Sequence, residues 1–339
     1  MIASISQSAS IPRWWVVHCR VAAGLTSLGL LAMWIVSPTR SQQILLLSVG
    51  VACLGVPHGA LDHLLGRRLL RPRLGPLWIP TFLILYLGLS AIVIAVWVVH
   101  PTIALAAFLG LSVVHFGLGD ARRELSTGAL YPLEVLTRGS LPVLLPMFFH
   151  SAEVAGLFGW LVGSEAAPSG AEISAAARLG VALLAPAAVW TVGHHLVGLI
   201  QARRKGHGDI LVELFAIVAV GVFAPPLVSF LVYFCLWHSL RHTLDTASSL
   251  DPSGLRRALL RFAAMATPLT VITLLLASGA WAFLRASGSA VAPAVVQVLF
   301  IGLAALTVPH MMLCAMVNLD AGPSEISLAR PVTREASEG

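Results

Sequence analysis

Long apolar runs separated by short polar breaks dominate this chain. The clearest is QQILLLSVGVACLGV, which gives way abruptly to PHGALDH at 57–63. A helix needs about 20 apolar residues to cross a bilayer, and about ten stretches approach that length. Their rough limits are 14–36, 43–65, 77–99, 101–119, 139–163, 174–202, 209–223, 226–246, 257–284 and 290–317. The runs are continuous and lack dyad alternation, so they predict helices and not the strands of a membrane barrel. The seventh is short, and Pro225-Pro226 breaks it from the eighth. The expected fold is all-α, a polytopic integral membrane helical bundle of about 8–10 transmembrane helices. Residues 1–13 would form an N-terminal segment, 14–319 a single helical domain, and 320–339 a polar tail.

Composition agrees with the pattern. Of the 339 residues, 58% are hydrophobic and 11% are charged, with a mean hydropathy of +0.89. Soluble domains carry about one quarter charged residues. The net charge of +6 comes almost wholly from arginine, because Lys205 is the only lysine. The arginines gather between apolar runs, so they read as topology signals and not as a nucleic-acid surface. Arg67, Arg68, Arg71 and Arg73 follow the second run, and Arg122, Arg123 and Arg138 the fourth. Arg203, Arg204 and Lys205 follow the sixth, and Arg256 and Arg257 the eighth. By the positive-inside rule the even runs end in the cytoplasm, which puts both termini there. Arg40 and Arg285 depart from this pattern, and Glu153 is a carboxylate inside the fifth run. The first run lacks a signal-peptide layout and is expected to be retained. Cys19, Cys53, Cys235 and Cys314 are scattered without a CxxC and read as small packing residues.

Placed on this topology, the histidines fall into a layer. His58 and His63 close the second run, and His115 the fourth. His194 and His195 lie in the last third of the sixth, His238 and His242 close the eighth, and His310 lies in the cytoplasmic half of the tenth. Every even run thus brings at least one histidine to roughly 5–12 Å from its cytoplasmic end, at about 1.5 Å per residue. His150, in the fifth run, is outside the layer. One histidine in a membrane helix is ordinarily a hydrogen-bonding packing residue. Five helices presenting histidine at one depth point instead to a metal that favours imidazole, such as iron, copper, nickel or zinc.

Spacing refines this. His238 and His242 are four apart and share a helix face. His58 and His63 are five apart and diverge by about 140° on a straight helix, so they are not expected to share an ion. Pro57 and Gly59 are positioned to open that helix locally. Asp62, Asp120 and Asp245 each follow a candidate histidine by three to five residues and could orient imidazole rings, or could simply face water at the ends of the runs.

PHGALDH at 57–63, HFGLGD at 115–120, WHSLRHTLD at 237–245 and VPHMM at 308–312 together resemble the motifs of the Brp/Blh family. These are bacterial and archaeal membrane proteins related to bacteriorhodopsin-associated protein. The resemblance extends from about residue 55 to 315 and lies in the order and spacing of four short motifs. It implies an oxygenase that cleaves β-carotene at its central 15,15′ double bond with O2, giving two molecules of retinal, which a rhodopsin would take up. It also implies non-haem Fe(II) held by four histidines, which by motif are His58, His115, His238 and His242. His63, His194, His195 and His310, with Asp62, Asp120 and Asp245, would then support the site or line a channel. Phe116, Tyr233, Phe234 and Trp237 would line a substrate tunnel; they are equally good helix-packing residues.

Other membrane proteins fit less well. Two-iron desaturases need more histidine boxes than the single HxxxH here. A histidine-lined transporter or channel for metal ions or protons is the main alternative, and it predicts carboxylates near the membrane midplane. A retinal-binding photoreceptor would need an intramembrane lysine for its Schiff base, and Lys205 lies in a loop.

Overall fold

A computed structural model describes residues 11–126, 128, 130–201, 205–251 and 253–320. Arg203, Arg204 and most of the polar tail therefore lie outside the described residues. Every regular element among the described residues is helical. In chain order they are α1 (Arg13–Ile35), α2 (Arg40–Gly50), α3 (Val56–Gly59), α4 (Asp62–Leu74), α5 (Trp78–Val99), α6 (Pro101–Asp120) and α7 (Leu130–Phe149). Then come α8 (Ser151–Val162), α9 (Gly170–Ile200), α10 (His207–Phe223), α11 (Pro226–Leu231), α12 (Leu240–Leu250), α13 (Leu255–Ala286) and α14 (Val291–Asp320). Two π-helical segments, Val51–Gly55 and Val232–Ser239, join α2 to α3 and α11 to α12.

The exterior is that of a membrane protein. Trp34 is 94% exposed, and Ile84, Leu183, Phe215 and Phe283 are also exposed. Such a continuous apolar exterior is stable only in lipid. Among the described residues, six helical runs are long and apolar enough to cross a membrane, or seven if the bent α7–α8 pair counts as one.

By length and composition fewer spans stand out than the ten runs read from sequence, and the helices beneath those runs account for the difference. The second and third runs are continuous as one 60-residue helical stretch, Arg40–Val99, but it turns at Gly75 and packs α5 against α4, so both runs persist as separate helices. The fifth becomes α7 and α8, bent by 106° at His150. The seventh and eighth, now α10 and α11–α12, are short helices with one interior face: Ile210, Glu213, Ile217, Leu227, Tyr233 and Trp237 are buried, while Phe215 and Phe223 of α10 are exposed. Hydropathy cannot separate a helix buried in protein from one buried in lipid, because both are apolar.

Two loop readings also change. α7 begins at Leu130, so Arg138 is an interior residue with 1% exposure and not a topology arginine. Arg40, an exception among the loop arginines, and Glu153, the carboxylate inside the fifth run, pair with each other at 2.9 Å. Helices α6 and α7 meet at glycines. A Cβ on Gly117 would collide with the Val135 carbonyl, and one on Gly139 with the Val113 carbonyl. Small residues let membrane helices approach closely, and here they bring α7 against the end of α6 that carries His115 and Asp120.

Candidate metal centre

Both π segments sit where they aim a histidine. Pro57 has no N–H to give the Cys53 carbonyl, so a regular helix is interrupted there. The chain responds with i to i−5 bonding: Val56 N–H reaches Val51 O. It then turns at Ala60 and Leu61 before α4 begins. In the second segment Leu240 N–H reaches Cys235 O. That leaves the Leu236 carbonyl for His18 of α1, whose Nε2 donates to it at 2.9 Å. π turns of this kind are rare and concentrate at functional sites.

The result is a cluster of five imidazoles from α3, α6, α14 and the π–α12 segment. Ring nitrogens of His58, His115 and His310 lie within 4.8 Å of one another. His238 Nε2 is 3.2 Å from His115 Nε2. The His242 ring lies 5.5 Å from that of His58 and 5.6 Å from that of His310, between centroids. His238 and His310 are buried, and the other three are half-buried.

Hydrogen bonding fixes the tautomers. A carboxylate or carbonyl oxygen only accepts, so the facing imidazole nitrogen must donate. His238 Nδ1 donates to Asp120 Oδ1 at 3.3 Å, and His310 Nδ1 to Asp62 Oδ1 at 2.7 Å. His58 Nδ1 donates to the Gly55 carbonyl. In each ring the lone pair is therefore left on Nε2. The two carboxylates are held in the same manner. Asp62 Oδ2 accepts from Tyr86 at 2.9 Å, and Asp120 Oδ2 from Tyr233 at 2.7 Å. A carboxylate behind a ligating histidine sets its tautomer and raises its basicity.

The donor set fits a first-row divalent metal. Metal–imidazole bonds of about 2.1 Å place neighbouring nitrogens roughly 3.0–3.4 Å apart. The His115–His238 separation falls in that range. Asp62 and Asp120 supply two negative charges beside rings that are neutral when ligating.

Asp120 also belongs to a buried chain of charges. Arg241 reaches Asp120 at 3.1 Å and Glu213 at 2.6 Å. Arg138 reaches Glu213 at 2.6 Å and Glu134 at 3.7 Å. Glu134 lies 3.6 Å from His195 Nε2. Charges taken out of water persist only when paired, and this chain pairs them in alternation.

The remaining residues singled out from sequence fall elsewhere. His63 turns back to the Ala60 carbonyl at 3.2 Å. Asp245 makes no hydrogen bond to a histidine among the described residues. His194 and His195 leave the layer and gather with His207 at the junction of α9 and α10. Phe116 and Tyr233 pack on each other at 5.0 Å, and Phe116 packs on His238 at 5.0 Å. Phe234 lies 5.7 Å from His58 and stacks on Phe230. Trp237 faces away, towards α1, where its Nε1 donates to Thr26 Oγ1 at 3.1 Å.

Sequence reasoning did not single out Tyr86, Glu134, Arg241 or His207. Only Glu134 and Arg138 left a signal, their four-residue spacing on one helix.

A family model described as Beta-carotene 15,15'-dioxygenase matches residues 49–318, which include all five clustered histidines. The chain belongs to that family. A Beta-carotene 15,15'-dioxygenase from an uncultured marine bacterium, 66A03, is 30% identical over 263 residues, covering 78% of this chain and 90% of the relative. A probable beta-carotene 15,15'-dioxygenase Blh from Halobacterium salinarum is 29% identical over 296 residues, covering 77% and 80% respectively. No solved structure matches the chain. Membership in the dioxygenase family displaces the transporter reading.

Proposed function

We propose that this protein cleaves β-carotene with O2 at the central 15,15′ double bond, releasing two molecules of retinal. The observation that carries the proposal is the convergence of five Nε2-presenting or closely packed histidines, two of them backed by buried aspartates, in a chain of this family. His58, His115, His238 and His242 hold non-haem Fe(II), and His310 faces the same position as a fifth ring. When bound, Fe(II) supplies the one-electron chemistry that lets ground-state O2 react with an alkene.

The chain's own residues do the rest. Asp62 and Asp120 keep His310 and His238 in the ligating tautomer. Tyr86 and Tyr233 hold those carboxylates in place, so the rings do not reorganise during turnover. Phe116, Phe230 and Phe234 form an apolar wall beside the histidines, against which a conjugated polyene can lie. That wall keeps water from the reacting carbons. A substrate about 30 Å long dissolves in the bilayer core, so it reaches the site from lipid. Catalysis is then chiefly positioning of the polyene midpoint at the histidine cluster.

Residues 14–319 act as one catalytic domain in the cytoplasmic membrane of a bacterium or archaeon, with both termini and the histidine cluster towards the cytoplasm. The arginine distribution supports this orientation. Retinal released there would pass to a rhodopsin. The test is expression in a bacterium that accumulates β-carotene, with pigments separated by chromatography. Loss of β-carotene with appearance of retinal is the expected result. Unchanged β-carotene, with folded and iron-loaded protein in the membrane, would overturn the proposal.

A further inference from the structure

A second histidine cluster lies outside the centre described above. One ring nitrogen from each of His194, His195 and His207 lies within 4.8 Å of the other two. The ring centroids are 5.1–5.6 Å apart, and His195 and His207 are buried. The cluster joins the last turns of α9 to the first residue of α10.

Backbone packing shapes the pocket around these rings. A Cβ on Gly198 would sit 2.6 Å from the His207 ring, so glycine is needed where that ring crosses α9. Gly206, just before His207, has a φ of 112°, a conformation that favours glycine and that swings His207 under α9.

Two ring nitrogens have defined roles. His194 Nε2 donates to the Leu125 carbonyl at 2.9 Å, which leaves its lone pair on Nδ1. His195 Nε2 lies 3.6 Å from Glu134 Oε2, and both atoms are buried with no hydrogen-bond partner. A proton on that Nε2 belongs with the carboxylate, which leaves the His195 lone pair on Nδ1. That atom faces His207 Nδ1 at 2.9 Å. A histidine with a carboxylate behind one nitrogen and other imidazoles before the second is the arrangement of a ligating histidine.

We propose that His194, His195 and His207 form a second metal site, for a divalent ion of the zinc class, with Glu134 orienting His195. Three imidazoles and a fourth position open to a small ligand are a recognised zinc donor set. Tetrahedral zinc places ligand nitrogens about 3.3 Å apart, which ring rotations of roughly 1 Å satisfy here. The ion would tie α9 to α10 and, through the Leu125 carbonyl, to the segment that follows α6. The inference does not rest on the proposed cleavage activity.

The experiment counts metal equivalents. The full-length protein is purified in detergent, stripped with chelator, reloaded with zinc and analysed by mass spectrometry for bound metal per chain. The wild type is expected to hold two equivalents, and His194→Gln and His207→Gln one each. His115→Ala, in the first centre, is also expected to hold one, and its combination with His207→Gln none. Cobalt loaded into His115→Ala should show the visible absorption of a tetrahedral ion, and should lose it in the combined variant. His194 is only half-buried, so His194→Gln tests the site if His207→Gln fails to fold. A wild type and a folded His194→Gln that bind the same number of equivalents would overturn the second site. Loss of one equivalent in the trio variants but none in His115→Ala would instead count against the first centre alone.

Discussion

Asp62 Oδ1 and His310 Nδ1 lie 2.7 Å apart although 248 positions separate them in the chain. This contact closes the bundle, since α4 and α14 meet nowhere near each other in sequence. It also sets what His310 can do. A ring whose Nδ1 is committed to a buried carboxylate presents Nε2, and a nitrogen of this ring lies within 4.8 Å of nitrogens of His58 and His115.

Asp62→Asn removes the charge but keeps the shape. The amide can present either an acceptor or a donor to His310, so the tautomer is no longer fixed. Loss of such a partner typically costs 10–100-fold in metal affinity or activity. The expected result is a drop of about that size in iron affinity, read by chelator competition, with the helical circular dichroism unchanged. Tyr86→Phe removes only one hydrogen bond to Asp62 and is expected to cost about 1 kcal/mol of stability.

His310→Ala and His63→Ala separate the cluster from its sequence neighbours. Both histidines belong to shared motifs, but only His310 joins the cluster. His310→Ala should lower bound iron and retinal formation together. His63→Ala should leave both near the wild-type level, because its ring turns back to the Ala60 carbonyl in the turn before α4. Equal loss in the two variants would show that the cluster does not define the metal site.

Much of this was legible in the sequence. The apolar periods identify a helical membrane protein, and four short motifs contain every residue of the histidine cluster. The limits are physical. His238 was readable as a partner of His242 by helical spacing, but its contacts with His115 and Asp120 depend on how α6 packs, which spacing along one helix does not encode. Asp62 was expected to serve a nearby histidine and serves His310 instead. Arg138 was misplaced because an arginine beside an apolar run looks alike whether it meets water or a buried glutamate. The π segments are bonding choices made in a folded context, and only Pro57 hints at the first of them.

Gly119 tests how tightly the His238 ring is held. A Cβ at that position would lie 2.8 Å from His238 Cε1, below any normal contact. The ring cannot retreat freely, since one nitrogen is bound to Asp120 and the other faces His115. Gly119→Ala should therefore displace a proposed ligand by a few tenths of an ångström. Misplacement of about 1 Å can cost a hundredfold in rate, so a loss of roughly tenfold in kcat is expected with the protein still folded. Gly110→Ala, on the same helix with nothing within 4 Å, should leave kcat unchanged and raise helix stability by about 0.5–1 kcal/mol.

Glu213 forms ion pairs with Arg138 and Arg241 at 2.6 Å each, and all three side chains are at most 2% exposed. Glu213→Gln would leave two buried guanidinium groups short of one negative charge. Breaking a buried pair in this way costs about 3–5 kcal/mol, because the remaining charge cannot return to water. The Arg40–Glu153 pair is the control: it is similarly short at 2.9 Å, but its side chains are 35% and 40% exposed. Pairs at such exposure contribute about 0–1 kcal/mol. Thermal unfolding in detergent should therefore show a large fall in Tm for Glu213→Gln and little change for Glu153→Gln. If the two shifts were alike, the interior charges would be reached by water, and the dry setting proposed for the neighbouring Asp120 and His238 would fail with them.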